Sequence, residues 1–163
     1  MNKLSLLTRV AMVVALAAGF IVAGAGDDAW FDVHGCAMCK NFAAEPGLLE
    51  NIEWENYEIS NGVMTVSVID EEYEDAYERA VHNIGAVGQK LAAGEQLPLC
   101  GFCTSYGKLM MAGVKVEEVE TKLGSVTLMT SSDPEVVKMI QEHGRHTTEE
   151  YEKVKAAGGF KRS

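Results

Sequence analysis

Residues 54–69, WENYEISNGVMTVSVI, give the clearest fold signal in a chain of 163 residues. Apolar and polar side chains alternate on both sides of an Asn-Gly dipeptide, which tolerates the positive φ angles of a two-residue type I′ turn. The segment therefore predicts a β-hairpin, with Ile59 facing Met64 and Tyr57 facing Val66. In this register the apolar side chains fall together on one side of the hairpin.

An amphipathic helix is expected directly after the hairpin. Apolar and small side chains recur at i, i+3, i+4 and i+7 over residues 71–93, which is the spacing of one helical face, and Gly94 provides the usual C-terminal stop. The second half of the chain follows the same order, because its patterns predict a short helix over residues 100–113 and two strands within residues 116–129.

A last helix is expected to begin at Pro134, because an N-cap sequence precedes this proline. We expect the helix to break near Gly144 and to restart after Thr147, where a capping box begins. His143 and His146 fall at this break and are interpreted as a solvated pair near a helix end.

The repeated order of elements indicates an internal duplication. The predicted fold class is α+β: two diverged α-β-β-α halves, about residues 30–95 and 96–160, form one antiparallel sheet with helices packed on it. Residues 26–163 then make a single domain, which is long enough to bury a core of its own. The residues that align between the halves are Cys36 with Cys100 and Cys39 with Cys103 at a separation of 64, and Gly62 with Gly124 and Thr65 with Thr127 at a separation of 62.

Residues 1–25 have the composition of a secretory signal peptide, expected as an N-terminal signal helix. Lys3 and Arg9 precede an uncharged apolar run of about 16 residues, which is shorter than the ~20 residues that a membrane-spanning helix needs. Ala23 and Ala25 fit an A-x-A cleavage site. An uncleaved N-terminal membrane anchor is the alternative, and this segment would then be the contact with the membrane. In both cases we expect the rest of the chain to be periplasmic or secreted.

The charge balance argues against two kinds of partner. The formal net charge is −10, and it becomes −12 without residues 1–25, which carry two cations and no anion. Such an acidic surface repels nucleic acid and anionic lipid. The expected partners are therefore a metal ion and, beyond it, another protein or a second copy of the chain, and not nucleic acid.

Four cysteines in two C-x-x-C pairs are the main functional signal. A two-residue spacer lets both sulfurs of a pair reach one ion, and two such pairs supply the four ligands of a tetrahedral zinc site. Zinc or a soft ion such as copper is the expected cofactor, in a structural or a metal-handling role. If the halves pack about a twofold axis and the two pairs lie near it, the pairs meet; packing that places them at opposite ends would remove the shared site. The predicted metal ligands are Cys36, Cys39, Cys100 and Cys103, with His34 as a further candidate.

The first pair also resembles the active sites of thioredoxin-like proteins. The stretch AWFDVHGCAMCKNF, residues 29–42, has aromatic residues before C-x-x-C-K, and in that family a helix begins at the first cysteine and lowers its pKa. The resemblance implies an enzyme of thiol–disulfide exchange, with Cys36 and Cys39 as the catalytic pair and Cys36 as the attacking thiol. We expect the chain to depart from the family in two respects. Pro98 lies two residues before the second pair, so no proline-containing loop is expected to face the motif, and the downstream order is hairpin, then helix.

Disulfide bonds and haem attachment are two further uses of cysteine pairs, and the sequence supports only the first. Four is an even number, and an exported protein meets an oxidising compartment, so an interaction domain stapled by disulfides and without catalytic activity is a third hypothesis. A bridge between the halves would restrict the unfolded chain more than a bridge within one pair. Haem attachment uses C-x-x-C-H, whereas Lys40 and Thr104 follow the two pairs here, so haem is not expected.

Overall fold

A computed structural model describes residues 29–122 and 124–160. It shows an α+β fold with one four-stranded antiparallel sheet and helices, and the predicted fold class is confirmed at this level. The elements in chain order are α1 (Lys40–Ala43), β1 (Ile52–Ile59), β2 (Gly62–Ile69), α2 (Glu74–Ala92), α3 (Gly101–Met111), β3 (Lys115–Glu120), β4 (Ser125–Thr130) and α4 (Pro134–Ala156). One turn of 3-10 helix precedes β1 at Leu48–Glu50, and another precedes α2 at Glu71–Tyr73.

The strands are ordered β1-β2-β4-β3, so the two hairpins meet through their second strands at the centre of the sheet. The predicted first hairpin forms, but its predicted register is wrong by two residues: Ile59 faces Gly62, and Tyr57 faces Met64. Gly62 belongs to the strand rather than to the turn. A glycine is needed at this position for the approach of β4, because a Cβ here would lie 1.8 Å from the carbonyl oxygen of Met129. A shift of two residues keeps every side chain on its predicted side of the hairpin.

One face of the sheet, which we call the core face, carries the hydrophobic core. Val63 and Met129 from the two central strands pack against Leu109 of α3 and Ile140 of α4. Burying side chains of this size stabilises the fold by about 1.5–3 kcal/mol each, so this cluster fixes both helices on the sheet. A second cluster on the same face consists of Leu48, Ile52, Ala76 and Ala80.

The helix α4 runs unbroken for 23 residues over the core face, so the expected break near Gly144 is wrong. The glycine serves a close contact instead, because a Cβ at Gly144 would lie 2.9 Å from a methyl carbon of Val63. Thr147 is buried within the helix and caps no new one. The predicted start of the helix is right, since the Asp133 carboxylate accepts a hydrogen bond from the backbone N–H of Glu135 (2.9 Å).

The opposite face of the sheet, which we call the open face, is covered by no helix of the described residues. Its side chains alternate with those of the core face along each strand, and none of its apolar residues belongs to a cluster of buried hydrophobic residues. Tyr57, Val68 and Val119 are 47%, 44% and 53% exposed. The apolar residues of the open face are Tyr57, Ile59, Met64, Val66, Val68, Val119, Val126 and Leu128.

The expected signal peptide or anchor, residues 1–25, lies outside the described residues. Within residues 29–122 and 124–160, no helix has both the length and the apolar character needed to cross a bilayer. The order helix, hairpin, helix occurs twice along the chain, and its origin by internal duplication stays a prediction.

Candidate metal centre

The first C-x-x-C pair lies in a tight loop that leads into α1. The Asp32 carboxylate shapes this loop, because its Oδ1 accepts the backbone N–H groups of His34 (3.1 Å) and Gly35 (2.7 Å). A Cβ at Gly35 would lie 2.3 Å from the other carboxylate oxygen, so a side chain there would disturb the turn. Cys36 is buried in the loop, and Cys39 immediately precedes α1, which has only four residues.

The second pair lies at the N-terminus of α3, a helix of 11 residues. Cys100 is the N-cap residue with an extended backbone (φ −73°, ψ 173°), and Cys103 lies in the first turn. The peptide dipoles at this end of the helix carry partial positive charge, which stabilises a nearby thiolate. Regular secondary structure therefore presents the second pair, whereas a loop presents the first.

Main-chain hydrogen bonds hold the two pairs side by side. The N–H of Ala37 donates to the carbonyl of Pro98 (2.8 Å), and the N–H of Phe102 donates to the carbonyl of Trp30 (2.9 Å). The segment with Pro98 therefore faces the first pair, and the expectation that no proline-containing loop would do so is wrong. The rings of Trp30 and Phe102 also pack edge to face, with their centroids 6.3 Å apart. The segment around the first pair is thus fixed against the start of α3, although the two are far apart in the sequence.

The four sulfur atoms form one group in which all lie within 4.8 Å of one another. Cys39 Sγ is 3.4 Å from Cys103 Sγ and 3.6 Å from Cys100 Sγ. A tetrahedral ion with sulfur ligands at about 2.3 Å separates neighbouring sulfurs by about 3.8 Å, so the group has the size of a single four-coordinate site. Cys36, Cys100 and Cys103 are 1%, 3% and 8% exposed, and Cys39 is half-buried.

The four thiols differ in acidity because they share hydrogen bonds. Bonds from the other three cysteines, Cys100 first, lower the pKa of Cys36, and the bond from Cys103 lowers the pKa of Cys100 to about 6. The pKa values of Cys39 and Cys103 are raised, chiefly through their bonds with Cys100. Thiol hydrogen bonds therefore favour some thiolates at the expense of others, whereas a cation at the centre stabilises all four.

Two backbone N–H groups also point at the sulfurs. The N–H of Cys39 donates to the Cys36 sulfur, the N–H of Asp32 donates to the Cys100 sulfur, and each bond lowers the pKa of the thiol that accepts it. Donors of this kind stabilise thiolate ligands and orient them. Asp32 thus serves both pairs, because its carboxylate shapes the first loop and its N–H reaches the second pair.

His34, the further candidate ligand, is not part of the group that could hold a metal ion. Its residue is exposed, and its backbone N–H bonds to Asp32. The structure therefore brings together four sulfurs rather than a mixed cysteine and histidine set.

The interpretation of His143 and His146 as a solvated pair is wrong for His143. This residue is 4% exposed, and its Nδ1 lies 2.9 Å from Ser105 Oγ on α3. Burial, with His146 nearby, lowers the pKa of His143 to about 4. His146 stays more exposed and stacks on Trp30, with the ring centroids 4.0 Å apart.

The spacing of residues along α4 could have predicted that His143 is buried. With positions i, i+3, i+4, i+7 and i+11, one face of this helix passes through His143. A polar residue on that face is expected to be buried and hydrogen-bonded. The buried residues of α4 are Ile140, His143, Gly144, Thr147 and Tyr151.

Comparison with known proteins assigns the chain to no family. No protein-family model matches the sequence, and neither a curated protein nor a solved structure is significantly similar to it. Fold and site together define the class of protein: an α+β domain with a four-cysteine group that could hold a metal ion.

Proposed function

We propose that this protein is exported to the periplasm or beyond the cell and binds one metal ion through its four cysteines. The meeting of four sulfurs from two distant segments within 4.8 Å carries this proposal. Buried thiolates at such distances repel one another, and a cation is the usual compensation. The signal-like composition of residues 1–25 supports export.

Zinc in a structural role is the first candidate. The group offers four sulfur ligands of the right spacing, and three of them, Cys36, Cys100 and Cys103, are buried. Closed four-sulfur sites are typical of structural zinc, whereas catalytic zinc keeps a ligand position open for water. Zinc held here would tie the loop before α1 to the start of α3, and with it one half of the chain to the other.

Handling of a soft ion such as copper is the second candidate. Met38 lies inside the first pair and packs against the cysteine cluster, and thiolate with thioether ligands favours Cu(I). Cys39 is half-buried while the other three cysteines are buried. A partner that delivers or accepts the ion would therefore reach the site at Cys39.

Thiol–disulfide exchange and disulfide stapling are supported less well than metal binding. Thiol–disulfide exchange needs an accessible thiolate, whereas Cys36, the attacking thiol of the thioredoxin-like interpretation, is 1% exposed and precedes α1 rather than beginning it. A disulfide-stapled domain would join the pairs to each other, because the sulfur of Cys39 lies 3.4 Å from that of Cys103 and 3.6 Å from that of Cys100.

The centre of the sheet supports an internal duplication of the two halves. Thr65 pairs with Thr127 across the two central strands. The same two residues are matched when the sequences of the halves are aligned. Gly62 and Gly124 each lie against a carbonyl group of the opposite central strand, since an added Cβ would come within 1.8 Å and 2.0 Å of these oxygens. A twofold axis between β2 and β4 would relate these features to each other, as expected for two copies of one ancestral unit.

Intact-mass spectrometry with thiol alkylation tests the proposed metal binding. Under native conditions we expect one bound ion per chain, and after denaturation with a chelator we expect four alkylated thiols. Elemental analysis of the same sample distinguishes zinc from copper.

Matched variants of the first loop complete this test. Cys39→Ser should lose most of the bound ion, whereas His34→Ala, an exposed residue of the same loop, should keep it. Metal-free protein with two disulfides and no alkylated thiol would contradict the proposal and identify a stapled domain.

A further inference from the structure

The open face of the sheet carries an apolar band with carboxylates on both sides. Each of its two central rows, read across the four strands, holds three apolar side chains and one carboxylate. The carboxylate lies at the β3 edge in the first row and at the β1 edge in the second. The rows are Tyr57, Met64, Leu128 and Glu117, followed by Glu55, Val66, Val126 and Val119.

The dimensions of this band match those of an α-helix. Three strands spaced about 4.8 Å apart make the band about 14 Å wide, and the six paired residues of each strand make it about 20 Å long. An α-helix is about 10–12 Å in diameter, and about 13 residues span 20 Å. One amphipathic helix of three to four turns would cover the band.

The charges around the band favour a basic occupant. Glu53 and Glu55 line it at the β1 edge, Glu117 lines it at the β3 edge, and all three residues are exposed. Lys115 is the basic residue among the paired positions of this face. Because the whole chain has a net charge of −10, long-range attraction also favours a cationic partner.

A second copy of the chain fits this surface less well. The sheet offers about 400 Å² per copy from the strand spacings, which is about half of the ~800 Å² that each partner contributes to a stable complex. This area is too small for a stable dimer but is sufficient for weak, transient binding of a single helix. Each copy would also bring its own acidic rim and a large negative charge.

We propose that the open face binds an amphipathic helix of another protein, with apolar residues along one stripe and lysine or arginine residues beside it. The apolar stripe lies on the band, and the basic residues pair with Glu55 and Glu117. The cysteine group lies on the other side of the sheet, where α3 packs. Binding at the open face therefore does not depend on the proposed metal function.

A synthetic peptide of about 18 residues tests this proposal, with leucine at i, i+3, i+4 and i+7 and lysine at the flanking positions. We expect the purified protein to bind it with a Kd of about 10 μM, measured by fluorescence anisotropy. A scrambled peptide of the same composition should bind at least about tenfold more weakly, because it has the same charge without the apolar stripe. Higher salt should weaken binding of the first peptide.

Variants on and off the open face locate the binding site. The double substitution Val66→Thr with Val126→Thr keeps β-branched side chains in the strands and should weaken binding about tenfold. Glu55→Gln with Glu117→Gln should weaken it about threefold, with the fold untouched because both residues are exposed. Met139→Gln removes an apolar side chain, 39% exposed, on α4 and away from the open face, and should leave binding unchanged.

Three results would overturn the proposal. One is equal binding of the scrambled peptide, and another is equal loss of binding in Met139→Gln. The third is a dimer in sedimentation equilibrium that the Val66→Thr, Val126→Thr variant dissociates, because the open face would then belong to a second copy.

Discussion

The two C-x-x-C pairs have the same spacing but different support from the rest of the fold. The second pair begins a helix of 11 residues, which is tied to the core through Leu109 and to α4 through Ser105 and His143. The first pair lies in a loop shaped by Asp32 and is followed by a helix of four residues. The fold by itself therefore positions the second pair, whereas the first pair depends on its contacts with the second.

Metal removal should therefore destabilise the first pair more than the second, and this is the largest effect we expect. A chelator should lower the Tm by about 10 °C or more, because binding to a folded site contributes directly to stability. Hydrogen exchange should speed up strongly in residues 36–43 and much less in residues 101–111. Equal loss of protection in both segments would show that the first pair is not the weaker partner.

Acid should lower the stability of the folded protein by protonating His143, which connects α4 to α3 next to the second pair. Its pKa in the folded protein, about 4, is below the ordinary value of 6.5, so the unfolded chain binds the proton first as the pH falls. The stabilisation is complete above pH 6.5 and is lost as the pH falls towards 4, by about 3 kcal/mol in total. Urea unfolding at pH 7 and pH 4 measures this loss.

Two histidine variants isolate this contribution from that of the thiols. At each pH, the free energy of unfolding of His143→Gln is subtracted from that of the wild type. The thiol contribution cancels in this difference, because the thiols titrate in both proteins. His143→Gln should lose the ~3 kcal/mol that His143 contributes to the fall in the free energy of unfolding between pH 7 and pH 4, whereas His146→Gln should keep it. An unchanged slope in His143→Gln would refute the assignment to this residue.

A pair of glycine substitutions should have opposite effects in the two regions. Gly35→Ala places a Cβ 2.3 Å from an Asp32 carboxylate oxygen, and displacing this carboxylate breaks two hydrogen bonds, at a cost of about 1–2 kcal/mol. Gly107→Ala lies inside α3, where an added Cβ would come within 4 Å of no other described part of the chain, and it should stabilise the protein by about 0.5–1 kcal/mol. Urea unfolding with metal in excess checks both, and effects of the same sign would contradict the contrast.

The smallest effect is expected from the ion pair between Arg79 and Glu45, which joins the chain after α1 to α2 (2.6 Å). The arginine is exposed, and solvent screens such a pair. Arg79→Ala should leave the Tm and the metal content unchanged. A clear fall in either would mean that this surface pair, rather than the cysteine group, holds the first loop in place.

Much of the fold could be predicted from local sequence patterns. The alternation around Asn61 predicted the hairpin, the i, i+3, i+4, i+7 spacing predicted α2, and the N-cap at Asp133 predicted the start of α4. These features depend on residues close together in the chain, and so they can be read from the sequence alone.

Features set by distant contacts could not be predicted in the same way. Gly62 was assigned to the turn, yet it is needed for the approach of β4, and Gly144 was expected to break α4, yet it is needed for the approach of Val63. At the site, the spacing predicted which cysteines would act together, but not that the backbone N–H of Asp32 would reach Cys100. That contact depends on how the loop is folded against α3.

X-ray absorption at the edge of the bound metal is the sharpest test of whether one ion is shared by all four cysteines. Zinc in this site should show a single shell of four sulfurs at about 2.3 Å, and the small amount of zinc that Cys39→Ser retains should show a shell of three sulfurs. A shell with fewer than four sulfurs in the wild type, or one that does not change in the variant, would contradict a shared four-cysteine site.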